Sequence, residues 1–177
     1  MSGAVAEIEA LFAEHGGESY GEGVTMLAHM LQAAALAESE GAGEPLVIAA
    51  LLHDVGHFLQ PTDDSFGYHR HDRSGGEWLA KRFPPEVSEP VRLHVTAKRY
   101  LCAVEKDYFG KLSAASVYTL SQQGGPMSDA EAKAFASSPH HRSAVRLRRW
   151  DDSGKVTGVR VRDLPYYCAA MARLSGS

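Results

Sequence analysis

The sequence predicts an all-α fold, and three observations carry the prediction. Apolar residues recur at helical spacing along most of the 177 residues, glycine and proline fall between those segments, and alternating strand–helix units are absent. The length suits one domain with a real core, so residues 1–177 are expected to form a single domain without an internal linker or repeat.

The elements follow in order. Val5, Ile8, Leu11 and Phe12 make the apolar stripe of a first helix, stopped by Gly16 and Gly17. Thr25 to Glu40 is rich in Ala, Leu, Met and Glu and ends at Gly41. Pro45 opens a third helix that is apolar on most sides, belongs in the middle of the domain, and is expected to end at Gly56. A polar loop, PTDDSFGYHRHD, comes next. Helices are expected over His71–Phe83, Glu86–Lys98 and Ser113–Gln122. Ser128 and Glu131 then spell a capping-box start. A helix carrying Arg142 to Trp150 is expected to break at the DDSGK turn. A short extended piece over Val156–Val161 and a last helix over Pro165–Leu174 complete the chain.

Composition removes several classes of function. A formal charge of −4 argues against binding nucleic acid through a basic surface. No apolar run approaches the length of a membrane span, and the acidic N-terminal stretch has no basic signal region, so a cytoplasmic protein is expected. Two cysteines build neither a disulfide framework nor a four-cysteine zinc site. Nine histidines remain. A metal here would be held by nitrogen and oxygen.

His53-Asp54 closes the apolar helix inside AALLHDVGHF, where two polar side chains are costly to bury without compensation. A cation supplies it, since imidazole and carboxylate both ligate first-row metals. A lone HD dipeptide also reads as an ordinary helix end. It is not alone: His29 lies inside the second helix, His71 and His94 fall on later helices, and Asp151 follows Arg148-Arg149-Trp150. Four histidines and two aspartates suit two octahedral-leaning metals sharing a carboxylate better than one tetrahedral zinc.

His29, His53-Asp54 and Asp151 resemble the H…HD…D signature of the HD-domain superfamily of helical metalloproteins. With His71 and His94 added, the chain resembles its mixed-valent di-iron oxygenases. The blocks HVTAKRYL (His94–Leu101), LSAASVYTL (Leu112–Leu120), QGGPM (Gln123–Met127) and RRWDDSGK (Arg148–Lys155) are similar to the PhnZ- and TmpB-like phosphonate-cleaving branch. The resemblance runs from about Tyr20 to Lys155 and implies an HD-domain helical bundle around a di-metal site. It implies that His29, His53, Asp54 and Asp151 hold one iron, and that Asp54, His71 and His94 hold the other.

It further implies an Fe(II)/Fe(III) pair and O2 cleaving the C–P bond of a 2-amino- or 2-(trimethylammonio)-1-hydroxyethylphosphonate, giving phosphate with glycine or glycine betaine. His57, Lys98, Ser116, Thr119 and Arg148 match the phosphonate pocket. Glu22 matches a glutamate near the substrate's cationic end. Tyr20 resembles a tyrosine guarding the open iron site, although it stands two rather than three residues before Glu22. Two other readings stay open. An HD phosphohydrolase would use the same Lys98 and Arg148 on a phosphate ester. A degenerate binding module would be expected to lack a metal ligand, and all six positions are filled here. The oligomeric state is not legible in the sequence.

Overall fold

The computed structural model describes residues 3–19, 23–59 and 70–176. Tyr20 and Glu22, and most of the expected polar loop, lie outside the described residues.

Ten α-helices, and no strand, occur among the described residues. They are α1 (Gly3–His15), α2 (Met26–Ser39), α3 (Glu44–Leu52), α4 (Gly56–Leu59), α5 (His71–Ala80), α6 (Pro85–Val104), α7 (Ala114–Gln122), α8 (Asp129–Ala136), α9 (His141–Ser153) and α10 (Leu164–Leu174). Helix α2 starts where Thr25 accepts the Ala28 N–H, and α7 where Ser113 accepts that of Ser116. The capping box of Ser128 and Glu131 is present, and Asp163 caps α10 through Tyr166.

Helix α3 is the hub. Leu46 to Leu52 are all buried, and each Leu, Ile or Val side chain removed from water contributes about 1.5–3 kcal/mol. Around it pack α2, α6, α9 and α10, and α5 lies along α6. The main core joins Met30, Ala34, Ile48, Leu51, Val55, Val91, Leu147 and Trp150; a smaller one gathers Leu93, Ala97, Met127, Phe135 and Ala144 between α6, α8 and α9.

Five expectations about elements need correction. The third helix does not run to Gly56: α3 ends at Leu52, and Val55, His57 and Phe58 bond back three residues, to Leu52, Asp54 and Val55. Gly56 starts α4 rather than closing α3, because a Cβ there would lie 2.0 Å from the His71 carbonyl oxygen. Helix α9 is not broken at DDSGK but continues to Ser153, since Arg148 pairs with Asp151 and Asp152 one turn on. It stops at Gly154. Residues 156–161 form no strand, because the left-handed Gly158 (φ 77°) turns the chain there. The expected ends of the fifth and sixth helices also shift: α5 stops at Ala80, and α6 runs on to Val104.

Candidate metal centre

The fold brings all six expected metal ligands to one place from five segments: His29 from α2, His53 and Asp54 from the turn after α3, His71 from the start of α5, His94 from α6 and Asp151 from α9. All but His71 are buried, and His71 is nearly so.

The two oxygens of Asp54 face in different directions. Oδ2 lies 3.4 Å from His29 Nε2 and 3.3 Å from His53 Nε2, and Asp151 Oδ1 lies 3.2 and 3.6 Å from the same two nitrogens. Oδ1 lies 3.4 Å from His71 Nε2, 3.6 Å from His94 Nε2 and 4.0 Å from His57 Nε2. Bonds of about 2.1 Å to a first-row metal put neighbouring ligand atoms roughly 3.0–3.4 Å apart. The spacing is that of two coordination shells sharing one carboxylate.

The imidazoles give an independent test of the fit. Nδ1 of His29, His53 and His94 faces the carbonyl of Gly154 (3.0 Å), Ala50 (2.8 Å) and Val91 (2.6 Å). A carbonyl only accepts, so each Nδ1 carries a proton and donates it. In the neutral rings of these three, Nε2 then turns a lone pair inward: His29 Nε2 meets His53 Nε2 at 3.1 Å, and His94 Nε2 faces His71 Nε2 at 3.2 Å. The lone pairs of His29 and His53 repel unless a cation lies between them. Metal ions at the two positions would satisfy these donors, and the residues present fit them.

Protons compete for the same positions. Burial alone would lower the affinity of His53 for a proton, but Asp54 and Asp151 outweigh it and raise its pKa to about 10. His29 is raised against its burial by the same two carboxylates. Burial would raise the Asp54 and Asp151 carboxyls, yet the facing His53 and Arg148 hold them well below the usual range.

Beside the metal residues lies a second cluster. Lys98 Nζ donates to Thr119 Oγ1 (2.8 Å) and the Ser116 carbonyl (3.3 Å), while Arg148 Nη2 donates to Ser116 Oγ (3.1 Å). Lys98 and Arg148 are 1% and 3% exposed, which excludes solvated surface cations. Burial, then the nearby Arg148, lowers the Lys98 pKa to about 7. The Arg148 fork is largely committed within the protein: Nη1 to Asp151 Oδ2 at 2.7 Å, Nη2 also to Asp152, and Nε to Tyr108 Oη at 3.2 Å. Its first contact is therefore a candidate metal ligand. His57, expected beside the substrate, stacks on His71 (centroids 4.0 Å apart, planes at 19°) and can join Asp54 and His71 as a donor set.

The sequence reading missed Tyr108 and Asp152, which hydrogen-bond each other and hold Arg148. The signal for Asp152 was its place four residues after Arg148 on a helix; Tyr108 follows α6 and had none. Gln32, three residues after His29, was also missed.

Residues 26–145 match the HD domain family. The chain belongs to it. It is 46% identical over 168 residues to a hydroxymethylphosphonate dioxygenase of Gimesia maris, covering 92% of this chain and 84% of that protein. It is 38% identical over 176 residues to a glycine-betaine-forming [1-hydroxy-2-(trimethylamino)ethyl]phosphonate dioxygenase of Leisingera caerulea, covering 94% and 88%. An uncharacterized protein of Acanthamoeba polyphaga mimivirus is 35% identical over 164 residues, covering 89% and 75%. The HD chain thus stands with the hydroxyphosphonate dioxygenase branch, and oxygenase chemistry is consistent with its site. No described helix of this HD protein is long and apolar enough to cross a membrane.

Proposed function

We propose that the protein is a cytoplasmic, single-domain di-iron oxygenase that cleaves the C–P bond of a 1-hydroxyphosphonate with O2. The observation that carries the reading is Asp54, with one carboxylate oxygen toward each histidine set, next to a buried lysine–arginine pair able to take a dianion. His29, His53, Asp54 and Asp151 would hold one iron, and Asp54, His71 and His94 the other. N/O donors accept iron, manganese or zinc alike, so the choice of iron, as an Fe(II)/Fe(III) pair, rests on the kinship with dioxygenases. When bound, the irons supply the redox chemistry with O2 that amino-acid side chains lack.

The chain's own residues bind and orient. Lys98, Ser116 and Thr119 present an ammonium and two hydroxyls to the phosphonate; a dianion there keeps Lys98 protonated, although its pKa is about 7 without one. Arg148 contributes charge to the same cradle while it steadies Asp151. His57 donates from the Asp54 side. Tyr20 would guard the open iron position. The overall reaction balances with one O2 consumed: the hydroxyl-bearing carbon leaves as a carboxylate, and phosphate and one proton are released.

The finer proposal is a substrate with a 2-ammonio or 2-trimethylammonio head read by Glu22, giving glycine or glycine betaine. The named relatives divide between a one-carbon substrate and the trimethylammonio compound. The test loads the protein anaerobically with Fe(II), then adds O2 with each of the three compounds and measures phosphate. O2-dependent release is expected, together with a coupled Fe(II)/Fe(III) signal in the EPR spectrum of the partly oxidised protein. No O2-dependent release from any of the three would sink the oxygenase reading, and phosphate freed without O2 would revive the phosphohydrolase.

A further inference from the structure

Gln32 lies on α2, one turn after His29, and is 5% exposed. Its side-chain amide grips the backbone of one residue from both sides: Nε2 donates to the Val156 carbonyl at 3.0 Å, and Oε1 accepts the Val156 N–H at 3.0 Å. A primary amide imitates a peptide group, so the pair works like one rung of a sheet, built between a helix side chain and a loop. The grip falls two residues after Gly154, whose carbonyl accepts the His29 Nδ1 proton.

The same segment presses on α2 from the other side. A Cβ at Gly154 would meet the Trp150 carbonyl oxygen at 3.0 Å, the Ala33 nitrogen at 3.1 Å and the His29 carbonyl oxygen at 3.2 Å. Between the two contacts, Lys155 places Nζ 3.8 Å from Asp151 Oδ1. Residues 154–156 therefore touch His29 and Asp151. Val156 itself is exposed, so side-chain burial does little to hold it in place. The Gln32 amide does.

We propose that Gln32 is a positioning residue for the metal on the His29–Asp151 side. By fixing Val156 it fixes the Gly154 carbonyl. That carbonyl sets the tautomer and the rotation of His29, so that Nε2 meets Asp151 and Asp54 at coordination distance. Outer contacts of this kind are worth about 10–100-fold in metal affinity. The metal held by His71 and His94 meets this device one step further on, through the shared Asp54.

The proposal rests on the two-metal site above, and its test separates the two. Wild-type protein, Gln32→Leu and Gln32→Glu are titrated anaerobically with Fe(II), and with Zn(II) as a redox-silent probe, against a competing chelator. Leucine removes both hydrogen bonds; glutamate keeps the acceptor for the Val156 N–H and loses the donor. Expected for Gln32→Leu is one of two binding steps weakened about 10–100-fold and the other changed by less than about threefold, with a smaller loss for Gln32→Glu. The second readout is the imidazole N–H proton of His29 in the Zn(II) form, seen by nitrogen-resolved NMR. It is slow to exchange in the wild type and accelerated in the variants; it also decides the matter through Gln32→Glu if the leucine variant does not fold. Unchanged affinity and exchange in the variants overturn the proposal, as does equal weakening of both steps, which would make Gln32 a general fold contact. A wild type that binds fewer than two metals overturns the two-metal site instead.

Discussion

Gly56→Ala adds a single methyl group, and the geometry fixes what it does. The new Cβ would lie 2.0 Å from the His71 carbonyl oxygen, 2.7 Å from its carbonyl carbon and 2.8 Å from its Cα. Ordinary contact begins near 3.4 Å, so the His71 backbone must retreat by about 1.4 Å. The obstacle is backbone, not the end of a flexible side chain. Metal–ligand distances tolerate about 0.2 Å, several times less than that retreat. Overpacking of this kind costs about 1–3 kcal/mol, and each kcal/mol lowers Tm by about 2–4 °C in a chain of this size. The expected variant is folded, melts roughly 2–12 °C lower, and loses the metal on the His71–His94 side while keeping the one held by His29, His53 and Asp151. Bound-metal analysis after desalting, with calorimetric melting of the same samples, reads both numbers. Two tightly bound metals with an unshifted Tm would refute the claim that α5 is seated on Gly56.

Three more expectations concern charge. Arg148→Leu takes the nearest cation from buried Asp151 and half-buried Asp152, leaving Asp151 with Lys155 Nζ at 3.8 Å, and costs up to about 3–5 kcal/mol in metal-free protein. The loss is smaller with metal loaded, because a metal neutralises Asp151; denaturant unfolding with and without metal measures the difference, and equal losses would count against Asp151 as a ligand. Lys98 binds fewer protons folded than unfolded between pH 7 and its ordinary value of 10.5, so its burial destabilises fully below pH 7 and is relieved as pH rises through that window. Melting temperatures of wild type relative to Lys98→Met are expected to climb from pH 6.5 to 10, and parallel profiles would refute it. Metal loading at pH 7 is expected to release protons, because His53 holds one up to about pH 10 in the metal-free cluster; affinity then rises with pH. Calorimetric titration in buffers of different ionisation enthalpy counts the protons, and none released would refute the raised proton affinity of His53.

The fold was legible wherever a local rule decides. The capping box at Ser128 and the apolar run Leu46–Leu52 name their elements without help from the rest of the chain. The breaks were not legible, one because its cause lies far away in sequence and the other because local ion pairs outweigh turn-forming residues. Gly56 reads as a helix stop until His71 is seen against it, and DDSGK reads as a turn until Arg148 is seen binding Asp151 and Asp152. The same division holds at the site. The types and order of the candidate donors were visible in one dimension, and the structure adds their convergence. The commitments of Arg148 to Tyr108 and of Gln32 to Val156 were invisible, since a hydrogen bond across 40 or 124 residues leaves no periodicity to read.

The wide spacing of the donors has a consequence for how the protein is made. His29 comes from the second helix and Asp151 from the ninth, and the Gly154 carbonyl that orients His29 lies 125 residues after it. A chain growing from its N-terminus holds His29, His53 and Asp54 long before it holds Asp151, so a partly synthesised chain offers an incomplete set of donors that grips metal weakly. On the proposed two-metal reading, tight capture would wait until α9 and the three residues after it have emerged and packed on α2. Metal uptake would in this sense be a completion signal, which a truncated chain ending before α9 could not give.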